Sequence, residues 1–235
     1  MEGMPKKVLA IIPARIDSSR FPAKMIAEET GKPLIQYAWE NANAATTVTD
    51  VFIATDSEEI ASKCTAFGAK VIMTGEHPNG TSRIAEAVRE LDCDIVVNMQ
   101  GDEPELDPAV IDATVAALGD ASMGTACCAL QPEEFDNEHV VKAMVDNNKA
   151  LDFFREYETG AMRHIGLYVY KPEFLQTYVE MQPTQNEISR RLEQMRAIDN
   201  GYSIAVAHVE PQPGGIDTEE QYNEFVQRVG SDAHS

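Results

Sequence analysis

Two acids, Asp102 and Glu103, close an apolar run over residues 95–99 that passes through Gln100 and Gly101 and stops at Pro104. Ile95, Val96 and Val97 are consecutive β-branched residues, which suits a strand covered on both faces, and Gly101 and Pro104 break it. The acids are left at the strand's carboxyl end, the edge where open α/β sheets bind ligands. A carboxylate there can hold a metal and, through it, phosphate. An acid in a solvated turn is the plain alternative. A second group lies near the start, where the strand-like residues 8–12 give way to Pro13-Ala-Arg-Ile-Asp-Ser-Ser-Arg-Phe-Pro-Ala-Lys24. This long loop carries three cations, Arg15, Arg20 and Lys24, with Ser18 and Ser19, a set suited to phosphates. It matches neither the G-x-x-x-x-G-K-[ST] loop nor the dinucleotide glycine fingerprint. A solvated basic loop is the competing reading.

Further candidates are scattered along the chain. Arg83 falls in the first turn of a helix that follows His77-Pro-Asn-Gly, where its charge opposes the helix dipole. A bound anion or polar ligand edge would offset that, and so would a partner carboxylate. Residues 163–170 alternate as a strand, with His164, Gly166, Tyr168 and Tyr170 on one face and Ile165, Leu167 and Val169 on the other. His164 is a hydrogen-bonded structural residue or a group for chemistry. Glu193 and Gln194 lie off the apolar stripe (Ile188, Leu192, Met195) of a helix expected over 187–198, in which Glu187 and Arg191 are spaced as an exposed pair. Asp217, with Glu220 three residues on, reads as a capping box unless it lies near Asp102.

The elements that must position these groups follow from periodicity. A helix over about 33–46 buries Leu34, Ala38, Ala42 and Ala45, and a strand spans 51–55. Asp56-Ser-Glu-Glu59 caps a helix with Ile60, Cys64 and Phe67 inward, ended by Gly68. A strand over 70–74, a helix with Ile84, Val88 and Leu91 inward, the strand at 95–97, a helix over about 107–118 and a strand over 124–130 complete the alternation. This order predicts an α/β fold with a mainly parallel central sheet flanked by helices. At 131–162 the pattern changes. Residues 140–145 and 150–154 pair as a hairpin around Asp146-Asn-Asn-Lys, an inserted β arm and candidate dimer element. A strand over 203–209 and a terminal helix follow. No repeat or Pro/Gly linker divides the chain, so 1–235 reads as a single domain with 131–162 as its inserted arm.

Composition narrows the partners. The 235 residues are 43% hydrophobic and 25% charged, enough for a sizeable core. A formal net charge of -20 repels nucleic acid and anionic lipid. Residues 1–35 depart from this, with six cations against four acids, and are the place for a small polyanion. Cys64, Cys93, Cys127 and Cys128 have no C-x-x-C spacing and suit reduced residues of a cytoplasmic protein. The start lacks a signal peptide's apolar region, and no stretch approaches the roughly 18 apolar residues of a membrane span.

Taken together, Ile12-Pro-Ala-Arg, Ser19-Arg-Phe-Pro-Ala-Lys24, Gly31-Lys-Pro33, Ala54-Thr-Asp56, Gly80-Thr-Ser-Arg83, Asn98-Met-Gln-Gly-Asp-Glu-Pro104, Arg163-His-Ile-Gly-Leu-Tyr168, Leu192-Glu-Gln-Met-Arg196 and Gly215-Ile-Asp-Thr218 resemble one family in order and spacing. It is the family of CMP-Kdo synthetases, cytidylyltransferases that activate 3-deoxy-manno-octulosonate (Kdo) for lipopolysaccharide. The resemblance runs from about Val8 to Val229. It implies a nucleotide-diphosphosugar transferase fold, usually homodimeric, that joins CTP and Kdo into CMP-Kdo and releases pyrophosphate. Carried over by motif, Lys24, Arg15 and Asp102 are the catalytic residues. Arg15, Arg20, Lys24, Arg83 and Gln100 bind the nucleotide. His164, Tyr168, Glu193, Gln194 and Arg155 line the sugar-acid pocket, and Asp102 and Asp217 bind Mg²⁺. Ala23 departs from the family's usual Gly, Arg190 from its usual Glu, and the segment after Arg155 is short. These departures lie mostly on the acceptor side. Activation of another 2-keto sugar acid, such as an amino-Kdo, and a non-catalytic nucleotide-binding protein of the same fold are the alternatives.

Overall fold

The computed structural model describes residues 6–16 and 20–232. Ser18 and Ser19 of the basic loop lie outside the described residues. The first half alternates as the periodicity requires. Strands β1 (Val8–Ala14), β2 (Asp50–Thr55), β3 (Lys70–Met73) and β4 (Ile95–Asn98) are joined through helices α1 (Leu34–Ala44), α2 (Glu58–Ala66) and α3 (Gly80–Val88). Their pairings are all parallel. Helix α4 (Pro108–Leu118) then leads to strand β5 (Met123–Cys128). The remaining elements are β6 (Lys142–Asp146), β7 (Lys149–Phe154), β8 (Met162–Tyr170), α5 (Pro172–Glu180), α6 (Gln185–Arg190), α7 (Met195–Asp199), β9 (Ile204–Val209) and α8 (Glu219–Asp232). Among the described residues all strands join one nine-stranded sheet in the order β3-β2-β1-β4-β8-β5-β9-β7-β6.

Both faces of the sheet are covered, so β1 and β4 are apolar almost without interruption. Ala10, Ile12 and Val97 pack against Ile35, Ile60 and Ile111 on one face. Leu9, Ile11 and Val96 pack with Ile84, Val88 and Leu175 on the other. A smaller cluster of Leu34, Ile216, Tyr222 and Phe225 docks α8 against the start of α1, which carries the C-terminal segment to the sheet's upper edge.

The β6–β7 hairpin forms where the turn chemistry expects it, with Asn147 and Asn148 at φ 48° and 58°, both in the left-handed region that a tight hairpin turn requires. The long strand β8 runs antiparallel between β4 and β5. Periodicity alone could not supply that neighbour, because pairing is decided between strands far apart in sequence.

The helix expected over 187–198 is two helices. Arg191 sits at φ 56° and ψ 48°, a left-handed conformation that ends α6, and α7 starts again at Met195. The break exposes Ile188 (60%) while Leu192 and Met195 stay buried. Glu187 and Arg191 are therefore not an exposed pair. Glu187 is buried in a capping box with Thr184 and forms a two-pronged ion pair with Arg196. Arg196 also packs its guanidinium 5.1 Å from the Tyr178 ring centroid. Removing one partner strands a buried charge, so Arg196→Ala should lower unfolding stability by about 3–5 kcal/mol, read from a urea titration. A loss below about 1 kcal/mol would show that water screens the pair.

Candidate active site

The upper edge of the sheet gathers segments distant in sequence. The chain leaves β1 into the basic loop, and Lys24 opens a short 3-10 turn (Lys24–Ile26). Ala23 precedes it at φ 55°, a left-handed position that glycine fills more cheaply. Lys24 is only 5% exposed. Its ammonium donates to Asp102 Oδ2 at 2.6 Å and to the Ile216 carbonyl at 2.5 Å. Asp102 returns the link, its carbonyl accepting from Ile216 N at 2.8 Å. Asp217 Oδ1 lies 3.9 Å from the same ammonium and accepts from Arg20 at 2.7 Å.

Asp102 and Asp217 thus meet across 115 positions of sequence, around one lysine. Asp217 is not the helix cap. That role falls one residue later, where Thr218 accepts from Gln221 N, and the Gln221 side chain accepts from the N–H groups of Asp217 and Thr218. The same shift occurs at α2, where Ser57 caps and Asp56 is released to accept from Arg83 at 2.8 Å. Arg83 also donates to Thr74 Oγ1, so its partner carboxylate accounts for a buried cation near the start of α3.

Two cavities open here. The first, about 390 Å³, is lined by Arg15, Arg20, Lys24, Arg83, Gln100, Asp102 and Asp217, together with the α3 start and Glu193. The second, about 380 Å³, is lined by His164, Tyr168, Glu193, Gln194 and Arg155, the whole set expected for a sugar acid. Gly80, Gln100 and Glu193 belong to both, so occupants of the two cavities would meet at these residues.

The second cavity is chemically quiet. His164 Nε2 lies 2.9 Å from Thr125 Oγ1, and that hydroxyl reaches the Leu167 carbonyl at 2.7 Å. The imidazole stands between the rings of Phe153 and Tyr168. Burial pushes its pKa down to about 3, so it is a neutral hydrogen-bonding group at pH 7. Burial also raises the pKa of Glu193, whose Oε2 accepts from Thr81 at 3.3 Å. Tyr178 Oη donates to the Glu193 carbonyl at 2.6 Å and fixes the segment between α6 and α7.

A hard cation would find two converging carboxylates, Asp102 and Asp217, and the described residues hold no cluster of three or more acids, histidines or cysteines. That donor set fits Mg²⁺, which takes one or two carboxylates and completes its shell with water and phosphate oxygens.

Comparison with known proteins assigns the chain to a family. Residues 9–204 match the family model described as cytidylyltransferase. This chain belongs to the cytidylyltransferase family. A relative in Solibacter usitatus, named 3-deoxy-manno-octulosonate cytidylyltransferase, is 40% identical over 92% of each chain. One in Arabidopsis thaliana, named 3-deoxy-manno-octulosonate cytidylyltransferase, mitochondrial, is also 40% identical, over 90% of this chain and 79% of the other. Among solved structures, a CMP:2-keto-3-deoxy-manno-octonic acid synthetase complexed with CTP superposes with a TM-score of 0.91 at 31% identity, over 96% of this chain and 99% of that one.

Sequence reasoning gave no role to four residues that line the second cavity of this cytidylyltransferase. Asn98 and Thr81 lie inside motifs that carry the resemblance but stand beside the residues assigned there, and neither Arg191 nor Tyr178 sits in a pattern that distinguishes it from a surface or core residue. Lys142 is fully buried on β6 and donates to the carbonyls of Asn137, Val140 and Arg155, which holds the backbone that carries Arg155. A lysine within a strand pattern gives no sign of this.

Glu103 follows Asp102 directly, and Gly166 makes room for it, since a Cβ at 166 would stand 2.9 Å from Glu103 Oε1. Burial, then the neighbouring Asp102 charge, raises its pKa from 4.5 to about 7, against a partial offset from Arg163. At Glu103 the folded state therefore binds more protons than the unfolded one between pH 4.5 and 7, and this group's contribution to stability falls as pH rises through that window. Glu103→Gln should leave the melting temperature near the parent's at about pH 5 and raise it at about pH 8. Comparing variant with parent at each pH cancels the contribution of His164, which is common to both. An equal shift at both pH values would show that Glu103 is ionised throughout.

Proposed function

We propose that this chain transfers CMP from CTP to the anomeric hydroxyl of Kdo, releasing pyrophosphate and yielding CMP-Kdo for lipopolysaccharide synthesis. The observation that carries the reading is the pair of adjoining cavities, one cationic with two acids at its floor, the other built for a polar acid, meeting at Gln100 and Glu193. The triphosphate belongs in the first, where Arg15, Arg20 and Lys24 neutralise its charge and Gln100 and Arg83 border the nucleotide. The sugar acid belongs in the second, where His164, Tyr168, Gln194 and Arg155 hold it so that its hydroxyl faces the α-phosphorus. The hydroxyl oxygen bonds to that phosphorus and gives up its proton to water, the bond to the bridging oxygen breaks, and pyrophosphate leaves toward the cationic loop. A Mg²⁺ held by Asp102 and Asp217 would shield charge on the triphosphate and lower the pKa of the hydroxyl.

The relatives favour neither an amino-Kdo acceptor nor a non-catalytic binding protein. We also propose a homodimer, supported by the exposed apolar side chains of Leu151 on the hairpin and Ile188 on α6. The cytoplasm is proposed as its compartment, supported by four free cysteines. Among the described residues no helix is long and apolar enough to cross a membrane.

Pyrophosphate release with CTP, Mg²⁺ and a panel of sugar acids tests the reading. Kdo should support turnover, and UTP should replace CTP poorly. Asp102→Asn and Asp217→Asn should each lower kcat by about 100-fold or more. Asp217 is half exposed, so its variant should melt close to the parent, which separates lost chemistry from lost fold. Near-parental rates in both variants would refute the assignment of these acids.

A further inference from the structure

We propose that Arg191 recognises the carboxylate of the sugar acid and so sets which acceptors this chain takes; the inference rests on the function proposed above. Two neighbouring arginines at the end of α6 are used differently. Arg190 is committed to the fold, donating to Asp152 Oδ1 at 2.6 Å and to the Phe153 carbonyl at 2.9 Å. Arg191 is exposed, and among the described residues its guanidinium makes no hydrogen bond or ion pair. It nevertheless lines the second cavity. Its backbone holds the left-handed conformation at φ 56°, a helix-end position usually filled by Gly or Asn. Nothing in the local fold calls for an arginine there.

The charges facing that cavity explain what an arginine contributes. Arg155 and Arg191 are its cations, Glu193 its carboxylate, and His164 is neutral. Arg155 already gives Nη1 to the Glu138 carbonyl at 2.9 Å. A carboxylate entering a partly enclosed pocket must be met by cationic hydrogen-bond donors or lose its hydration without return. Arg191 supplies an uncommitted planar fork matched to a carboxylate. The left-handed turn at 191 also lets the side chain leave the axis of α6, while Leu192 and Met195 bury beside it.

Arg191→Gly is the informative variant, because glycine accepts φ 56° without strain and the backbone turn is kept. With the full-length chain, KM for Kdo should rise by about 10- to 100-fold, with KM for CTP and kcat within about twofold of the parent. Arg191→Lys should recover part of the loss. The C1 amide of Kdo, which has the same ring without the charge, should bind the parent and the glycine variant alike. A KM for Kdo within about twofold of the parent in Arg191→Gly would overturn the proposal, as would an equal loss with the amide, which would mark a structural role. Calorimetric titration of Kdo into both forms without Mg²⁺ reads Arg191 independently of turnover. Kdo binding without pyrophosphate release would count against the function proposed above and still decide the role of Arg191.

Discussion

One buried ammonium ties the site together. Lys24 Nζ meets Asp102 from the end of β4 and the carbonyl of Ile216 from the segment before α8, with Asp217 alongside. Three stretches of chain, the later two lying 78 and 192 positions beyond the lysine, are thereby held at one point. An unpaired ammonium as buried as this one would be costly, so its partners are constrained as strongly as it is. The arrangement also concentrates charge of both signs at the sheet's edge. Acids that would repel a triphosphate are neutralised by two cations, Asp102 by Lys24 and Asp217 by Arg20, and they are also the groups a divalent cation would claim when it arrives with phosphate.

The acceptor side is held by a different kind of constraint. The Glu187–Arg196 pair, the Tyr178 hydroxyl on the Glu193 carbonyl and the Thr184 cap fix a short segment between two helices. Lys142 does the same for the loop that carries Arg155. These buried polar groups hold loop backbone where periodic hydrogen bonding cannot, which leaves Glu193, Gln194 and Arg155 free to face the cavity. The strand opposite, β8, presents His164 and Tyr168 with little freedom, the imidazole clasped by Thr125 and two aromatic rings.

Much of the first half is legible in the sequence because its determinants are local. Uninterrupted β-branched runs mark strands buried on both faces, and the alternation along β8 by itself separates its polar side from its apolar side. Local spacing places the cap one residue early at two helices, on Asp56 rather than Ser57 and on Asp217 rather than Thr218. In both cases an acid and a hydroxyl residue stand side by side, and an acid three residues beyond the first, Glu59 or Glu220, completes the capping-box spacing on it. The choice between them depends on what the acid meets across the fold: Arg83 in one case, Arg20 and Lys24 in the other. The break at Arg191 is hidden for a similar reason, since the stripe of Ile188, Leu192 and Met195 has helical spacing, and only packing decides that Ile188 faces outward.

By itself the sequence determined the α/β alternation, the phosphate-suited loop, the acid pair at the end of β4 and the family resemblance carried by short motifs in fixed order. Those features depend on residue type and near-neighbour spacing, which a chain displays in one dimension. Only the tertiary structure decided that Asp102 and Asp217 meet, that β8 lies antiparallel between β4 and β5, and that the two cavities share Gln100 and Glu193. It also separated Arg190, bound to the hairpin, from Arg191, facing the second cavity. Such distinctions are pairings between distant segments, and their energies depend on distance and burial that no spacing along the chain encodes.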